Sequence, residues 1–388
     1  MSETLEIQKK TRWRIRTGDF ALVVLVAILV VFGVIMVFSA SYYSSINESG
    51  DPYEYLKSDL MWAAIGTAGM VLCALCDYHI YVYLALPGLV ISFVLLGLIF
   101  TSLGVNINNA TRWLGVEGFP VTIMPGELAK AFAILFVSWY FAKYPKRIHS
   151  FFKGILPMVL LAGAYFILIF KQPNLSTALT VVGIIVLMLF VAGMHWGYLA
   201  GALGALGCGI AWLLTAGKET YWYTRLTGFT DPFADRLGDG WQVVQSLLGL
   251  ASGGVKGVGL GNSVAKALYL PEPQTDFILA IIGEELGFIG CFLLVLVYVL
   301  LIWRCCRIAI NAPDFFGTMI ASGITIMLTL QVILNIAVVT STMPPTGIAL
   351  PFISYGGNSL IIFMGCMGIL LNISRQSERY KEQAEDAQ

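Results

Sequence analysis

The sequence predicts an all-α polytopic membrane protein of about ten transmembrane helices, and three observations predict it. Hydrophobic residues make up 58% of the 388 and charged residues only 12%, against roughly 25% charged in a soluble domain. Ten apolar runs, each long enough to supply the roughly 17 to 25 residues that cross a hydrocarbon core, follow one another along the chain. The Lys and Arg residues between them recur on one side. A formal net charge of zero and a pI near 6.8 supply no global basic field, so nucleic acid is not an expected partner.

The elements follow in order. Residues 1–18 are charged, with KKTRWRIR leading into an apolar run without an A-x-A cleavage site, which reads as the cytoplasmic approach to an uncleaved first span at about 19–41. Further spans are predicted at about 60–76, 80–101, 125–142, 154–170, 175–192, 196–215, 275–303, 315–340 and 355–373, and residues 375–388 form a tail. An even number returns both termini to one side. That side collects Lys9, Lys10, Arg12, Arg14, Arg16, Lys143, Lys146, Arg147, Lys153, Arg304, Arg307, Arg375, Arg379 and Lys381, so the positive-inside rule makes it cytoplasmic. The first loop on the other side is acidic, with Glu48, Asp51, Glu54 and Asp59.

The membrane domain thus runs from 19 to 374, with one long extracytoplasmic loop at about 216–274. Loops of that length are more often functional than idle. This one contains Trp222, Tyr223, Arg225, Asp231, Asp235, Arg236 and Asp239. It continues into GWQVVQSLLGLASGG, amphipathic and Gly-ended, which suits a helix at or dipping into the outer interface. The seven cysteines are odd in number and lie in or at the ends of apolar stretches; the CxxC of Cys73 and Cys76 reads as a buried structural pair. The Gly-rich run 253–263 lacks both the GxxxxGK[ST] and GxGxxG spacings, which argues against a nucleotide site.

Chemistry is expected in YLPEPQTDFILAIIGEELG, 269–287, which carries Asp276, Glu284 and Glu285 on a segment entering the membrane. A carboxylate at bilayer depth costs roughly 2.5 to 3.5 kcal/mol on insertion scales, so it usually faces a cavity, a partner or a substrate path. Asp276 falls at the outer end of its span. Glu284 lies on the order of 12 Å deeper by helical rise, and Glu285 points to the opposite side from Asp276, so a single base with two framework acids is the reading. Glu127 and Lys130, three apart, are placed to pair.

At TDFILAIIGEELG the chain resembles the SEDS family (shape, elongation, division and sporulation). VFSAS at 37–41, Arg112 with Trp113, PGEL at 125–128, GWQVVQSLLGLASGGVKGVGLGNS at 240–263 and PPTGIALPFISYGGNS at 344–359 carry the same resemblance. It implies a peptidoglycan glycosyltransferase in the bacterial cytoplasmic membrane that polymerises lipid II on the outer face, with undecaprenyl pyrophosphate leaving. It further implies Asp276 as catalytic base, Glu127 and Lys130 lining the same cavity, and a class B penicillin-binding protein as transpeptidase partner beside other division or sporulation proteins. The wording of the motifs lies nearer the division and sporulation branch than the elongation branch.

Arg112 could pair with Glu117, yet beside Trp113 it is also the first candidate for the pyrophosphate, and Lys256, flanked by glycines that could form an anion nest, is the second. Lys171, Arg225, Arg236 and Lys266 are the other outward cations. Gln242 and Ser246 are candidates for sugar contact. In PPTGIALPFISYGGNS, the residues Ser354, Tyr355 and Asn358 either face the cavity or satisfy an irregular backbone. Two departures from the family pattern stand out: Gly126 replaces the Ser of PSEL, and Asn174 replaces the Asp of QPDLGT. The second weakens the case for the one cofactor candidate, a divalent cation (Mg or Mn). The competing readings are a lipid II flippase and a catalytically weak scaffold for the transpeptidase.

Overall fold

The computed structural model describes residues 18–107, 110–115, 122–216, 232–233, 238, 240–345 and 347–386. Lys9, Lys10, Arg12, Arg14, Arg16 and Glu117, and the long-loop residues Trp222, Tyr223, Arg225, Asp231, Asp235, Arg236 and Asp239, lie outside them. A helix stands at each predicted span: α1 (Phe20–Ser49), α2 (Glu54–Leu75), α3 (Tyr81–Leu98), α4 (Pro125–Lys143), α5 (Leu156–Phe170), α6 (Leu175–Val191) and α7 (Trp196–Ala216). After the long loop come α8 (Trp241–Gly253), α9 (Ile278–Ile310), α10 (Phe315–Val339) and α11 (Gly357–Asp386). Seven helical stretches among the described residues, including α1, α2, α9 and α10, are long and apolar enough to cross a membrane. The chain is a multi-pass membrane protein.

Its helices are apolar on both faces, as a lipid-embedded bundle requires. On α1, Leu22, Val26, Leu29, Met36 and Val37 are buried, while Phe20, Val24, Ile28, Val31 and Ile35 are exposed on the other side. The interior is a single apolar core to which α1 to α6 and α9 to α11 contribute. α10 packs against α4, α6 and α9, and α11 lies along α2.

Between α3 and α4 the structure holds an antiparallel hairpin, β1 (Gly104–Ile107) with β2 (Ala110–Leu114), where the sequence reading has a loop. The β-branched and aromatic residues of VNI and TRWL favour strands, but the runs are too short to announce themselves by alternation. The expected buried cysteine pair also differs. Cys73 is half-buried and Cys76, the cap residue past the end of α2, is exposed.

At the basic end of the bundle, acidic caps fix the helix starts. Asp19 accepts from the Leu22 N–H and meets Arg304 at 3.5 Å, which sets the start of α1 level with the last turns of α9. His79 bridges Asp77 at 2.7 Å and Asp314 at 2.8 Å, and Asp314 caps α10 through the Gly317 N–H. Burial works to raise the Asp77 carboxyl, but the His79 N–H, the Gln376 side chain and the His79 ring outweigh it and hold the pKa at about 2.

The feature that shapes the opposite half is a break in α9. Gly287 has φ 68 and ψ −166, a conformation open to glycine alone. In a continuous helix the Phe288 and Ile289 N–H groups would bond to the carbonyls of Glu284 and Glu285. Here the segment after α8 lies across the gap. Phe288 donates to the Gly254 carbonyl (2.9 Å) and Ile289 to that of Val255 (3.2 Å), while Val258 and Gly259 donate to the carbonyls of Glu284 and Glu285, both at 3.0 Å. This strap, 254–275, restores with its own main chain what the helix gives up.

The fit leaves no room for side chains. A Cβ on Gly257, which has φ +80, would lie 2.1 Å from the Glu285 carbonyl oxygen, whereas one on Gly50, with φ +75, would meet nothing within 4 Å. Gly50→Ala should therefore cost about 1 kcal/mol of stability from backbone strain alone. Gly257→Ala should cost more than about 3 kcal/mol, because it also separates the strap from the helix. Thermal unfolding in detergent or nanodiscs measures both, and equal losses would show that the strap is not docked as described.

Candidate active site

Asp276 stands two residues before α9, half-buried, at the end of the bundle away from the basic rim. Its place is set by main-chain contacts. Asn335 of α10 donates from one amide nitrogen to the carbonyls of Asp276 (3.0 Å) and Ile348 (2.6 Å), which pins the start of α9 to the irregular segment 347–350. Tyr355 donates its N–H to the Gln274 carbonyl at 2.9 Å, tying the ISYGG turn to the residues just before Asp276.

Arg112, on β2, reaches the same spot. Its Nη2 donates to the Pro173 carbonyl at 2.6 Å. Gly347, with φ +67, separates the two functional groups: a Cβ there would lie 3.1 Å from Asp276 Oδ2 and 3.5 Å from Arg112 Nη1. A carboxylate and a guanidinium thus flank one backbone position that only glycine leaves open. Trp113 is half-buried and pairs with Val105 across the hairpin.

Behind this pair lies a buried ionic network. Lys130 Nζ donates to Glu127 Oε1 (2.7 Å) and to Gln331 Oε1 (2.8 Å), with Lys130 only 2% exposed. Gln331, one turn from Asn335, donates on to the Ala349 carbonyl at 3.4 Å. The predicted Glu127–Lys130 pair therefore reaches the segment beside Asp276 through α10 and does not touch Asp276 in any contact seen here. Among the described residues Glu127 Oε2 and Asn335 Oδ1 are buried acceptors that meet no donor, so this region can take a hydrogen bond from a hydroxyl or water.

Several candidates make hydrogen bonds within the protein. Ser354 is buried, and its hydroxyl accepts the Leu350 N–H at 2.7 Å, closing the PFIS turn. Asn358 donates to the Thr122 carbonyl at 2.8 Å and the Tyr355 hydroxyl meets that of Ser58 at 3.0 Å. Ser246 donates to the Val339 carbonyl at 2.9 Å, and Gln242 is half-buried in the first turn of α8. Lys256 is exposed, but the nest expected beside it does not form, because the N–H groups of Gly257, Val258 and Gly259 are engaged with carbonyls of Gly253, Glu284 and Glu285. Lys266, named among the outward cations, is buried against Glu285 at 2.6 Å.

Glu284 and Glu285 hold structure. The Glu284 carboxylate accepts from the Ser263 hydroxyl (2.5 Å) and from the N–H groups of Val264 (3.0 Å) and Ala265 (3.2 Å). The two departures from the family pattern converge on one residue. Asn174 caps α6 by accepting the Thr177 N–H at 3.2 Å, and a Cβ on Gly126 would lie 3.0 Å from Thr177 Cγ2. Among the described residues, no three His, Cys, Asp or Glu side chains converge as a metal-ligand set.

The model of the FtsW/RodA/SpoVE family, described as cell cycle protein, matches residues 20–379. The chain belongs to this family. It is 39% identical to the probable peptidoglycan glycosyltransferase FtsW of Geobacter sp. (strain M18), over 93% of this chain and 98% of that one. It is 40% identical to stage V sporulation protein E of Bacillus subtilis (strain 168), over 92% and 97%.

Among solved structures, one reported as "structural coordination of polymerization and crosslinking by a peptidoglycan synthase complex" aligns with a TM-score of 0.76 at 27% identity, covering 93% of this chain and 98% of that one. The rod shape determining protein RodA of Thermus thermophilus aligns at 0.67 and 27% identity, over 94% and 98%. FtsW/RodA/SpoVE membership thus spans the whole bundle, the hairpin and the strap.

Buried ion pairs are costly to break and less costly to replace. Lys130→Met, which leaves Glu127 charged and alone, should destabilise the protein by about 3 to 5 kcal/mol, and the Lys130→Met/Glu127→Leu double substitution by clearly less. Unfolding midpoints of the wild type, Lys130→Met, Glu127→Leu and the double variant in the same detergent check this. A double variant as unstable as the sum of its parts would mean that the two side chains are not paired.

Proposed function

We propose that the chain is a peptidoglycan glycosyltransferase polymerising lipid II at the outer face of the cytoplasmic membrane, with Asp276 as the base. The juxtaposition of Asp276 and Arg112 about Gly347 is the observation that supports this most. A carboxylate can take the proton of an acceptor hydroxyl, and a neighbouring guanidinium can hold the phosphate charge that develops on the leaving group. The acceptor oxygen bonds to the anomeric carbon of the donor sugar, the carbon–oxygen bond to the diphosphate breaks, and the proton passes to Asp276. The substrate carries its own activation, so no nucleotide is consumed.

Topology supports the same reading. The basic rim with Lys143, Lys146, Arg147, Lys153, Arg304 and Arg307 takes the cytoplasmic side by the positive-inside rule, which puts both termini there. Ser39 lies roughly 28 Å along α1 from Phe20 by helical rise and hydrogen-bonds Glu285 at 2.7 Å, so Glu285 is near the outer edge of a hydrocarbon core of about 30 Å. Asp276, about 13 Å further along α9, then stands at headgroup level or just above it. A lipid-anchored sugar diphosphate would present its reacting bond at that height.

The buried ions Glu127, Lys130, Lys266, Glu284 and Glu285 all fall in this outer half, which favours a transferase over a flippase needing a polar path to the cytoplasmic side. The likeness to a synthase complex that coordinates polymerization and crosslinking supports a transpeptidase, a class B penicillin-binding protein, as partner.

Purified protein given labelled lipid II and its transpeptidase partner tests this. Wild type should make glycan, Asp276→Asn should lose on the order of 10²- to 10⁴-fold in rate as expected for a lost general base, and Arg112→Lys should fall less. Equal polymer from wild type and Asp276→Asn would remove Asp276 from the chemistry.

A further inference from the structure

Lys266, Glu285 and Ser39 form a buried cluster that the proposed reaction does not use. Lys266 Nζ donates to Glu285 Oε1 at 2.6 Å and to Ser39 Oγ at 2.9 Å. The Ser39 hydroxyl lies 2.7 and 2.8 Å from the two Glu285 oxygens, and Lys266 and Glu285 are 3% and 0% exposed. The cluster joins three segments that are remote in sequence: α1, the strap and the first arm of α9. Few arrangements are as sensitive to one change, because removing either charge strands the other without water.

Its location gives it a consequence. The arm that carries Asp276 on its leading end runs only from Ile278 to the break at Gly287, so helical continuity with the long second arm does not fix its direction. Lateral contacts must do so. On the far side of the arm from the second arm are Asn335 and segment 347–350; at its base the contacts are the strap main chain, the Glu284 carboxylate and the Lys266–Glu285–Ser39 cluster. Only the last of these reaches α1, which packs along α9 and is not part of the strap.

We infer that Lys266, Glu285 and Ser39 are positioning residues for the glycosyl transfer, clamping the short arm of α9 to α1 so that Asp276 is held against Arg112. This rests on the reading of Asp276 as base. The cluster touches neither Asp276 nor any group proposed to meet substrate. Its effect is therefore on alignment, and a displacement of about 1 Å at a reacting group can cost on the order of 100-fold in rate.

The test uses full-length protein in nanodiscs with lipid II and partner. Lys266→Met and Glu285→Gln should each lower kcat about 10- to 100-fold while leaving KM for lipid II within about threefold, as expected when alignment is lost and binding is not. The charge-reversed pair Lys266→Glu/Glu285→Lys should recover a substantial part of kcat, and Ser39→Ala, which keeps the ion pair, should lose only a few-fold.

A second readout does not require turnover. Nitroxides at the exposed positions Leu268 on the strap and Tyr43 on α1 should give one narrow distance distribution in wild type and a broadened one in Lys266→Met. If wild type makes no glycan, the activity reading fails and the distance measurement still decides whether the clamp exists. Full kcat in Lys266→Met, a loss confined to KM, or an unchanged distance distribution would each overturn the inference.

Discussion

Everything at the Asp276 end of this protein depends on how an interrupted helix is satisfied where water is scarce. An unpaired backbone group in a hydrocarbon environment costs several kcal/mol, so a helix that breaks there must be covered by protein. The break at Gly287 frees two carbonyls and two N–H groups, and the strap takes all four with main-chain hydrogen bonds of 2.9 to 3.2 Å. Only glycines tolerate that contact, because a Cβ on Gly287 would lie 2.3 Å from the Gly257 nitrogen. The glycine-rich run 253–263 is thus a splint for a helix.

The same interruption explains why ionic groups accumulate around it. A short arm needs sideways restraint, and charged groups supply it strongly when they are desolvated and fully paired. Glu284 gathers the turn 263–265, Glu285 reaches Lys266 and Ser39, and Asn335 grips Asp276 and Ile348 through their carbonyls. Asp276 is left at the end of this frame with its carboxylate directed to the place where Arg112 arrives from the hairpin. Rigid support from several elements, with the carboxylate at the edge, is the arrangement that the reading of Asp276 as base under the proposed function calls for.

The helices were legible because long apolar runs admit few alternatives, and each predicted span has its helix. The hairpin was not, since four and five residues give too little alternation to distinguish strands from loop. Asp276 and Arg112 could be named from sequence, but their meeting at Gly347 joins three distant segments and leaves no local pattern. The burial of Lys266 against Glu285 was not legible for the corresponding reason. A signal did exist: two adjacent acids entering the membrane demand partners, and Lys266 is one of the few cations in the nearby loop. At Ser354 and Lys256 local hydrogen bonding is what the sequence did not show: the Ser354 hydroxyl accepts the Leu350 N–H, and the N–H groups that follow Lys256 are bonded to carbonyls.

The two departures from the family pattern also become intelligible together. With Asn174 the amide oxygen still caps α6, which is all that the Thr177 N–H requires, and Gly126 leaves room for the Thr177 methyl beside it. Helix capping therefore survives the loss of the carboxylate. What changes is electrostatic. Arg112 donates to the carbonyl of Pro173, the residue immediately before Asn174, so an acid at 174 would stand within one residue of the guanidinium's anchor and offset part of its charge. A neutral amide at that place leaves the positive field of Arg112 less offset by its neighbours, and in a low-dielectric site that field is felt over several ångströms.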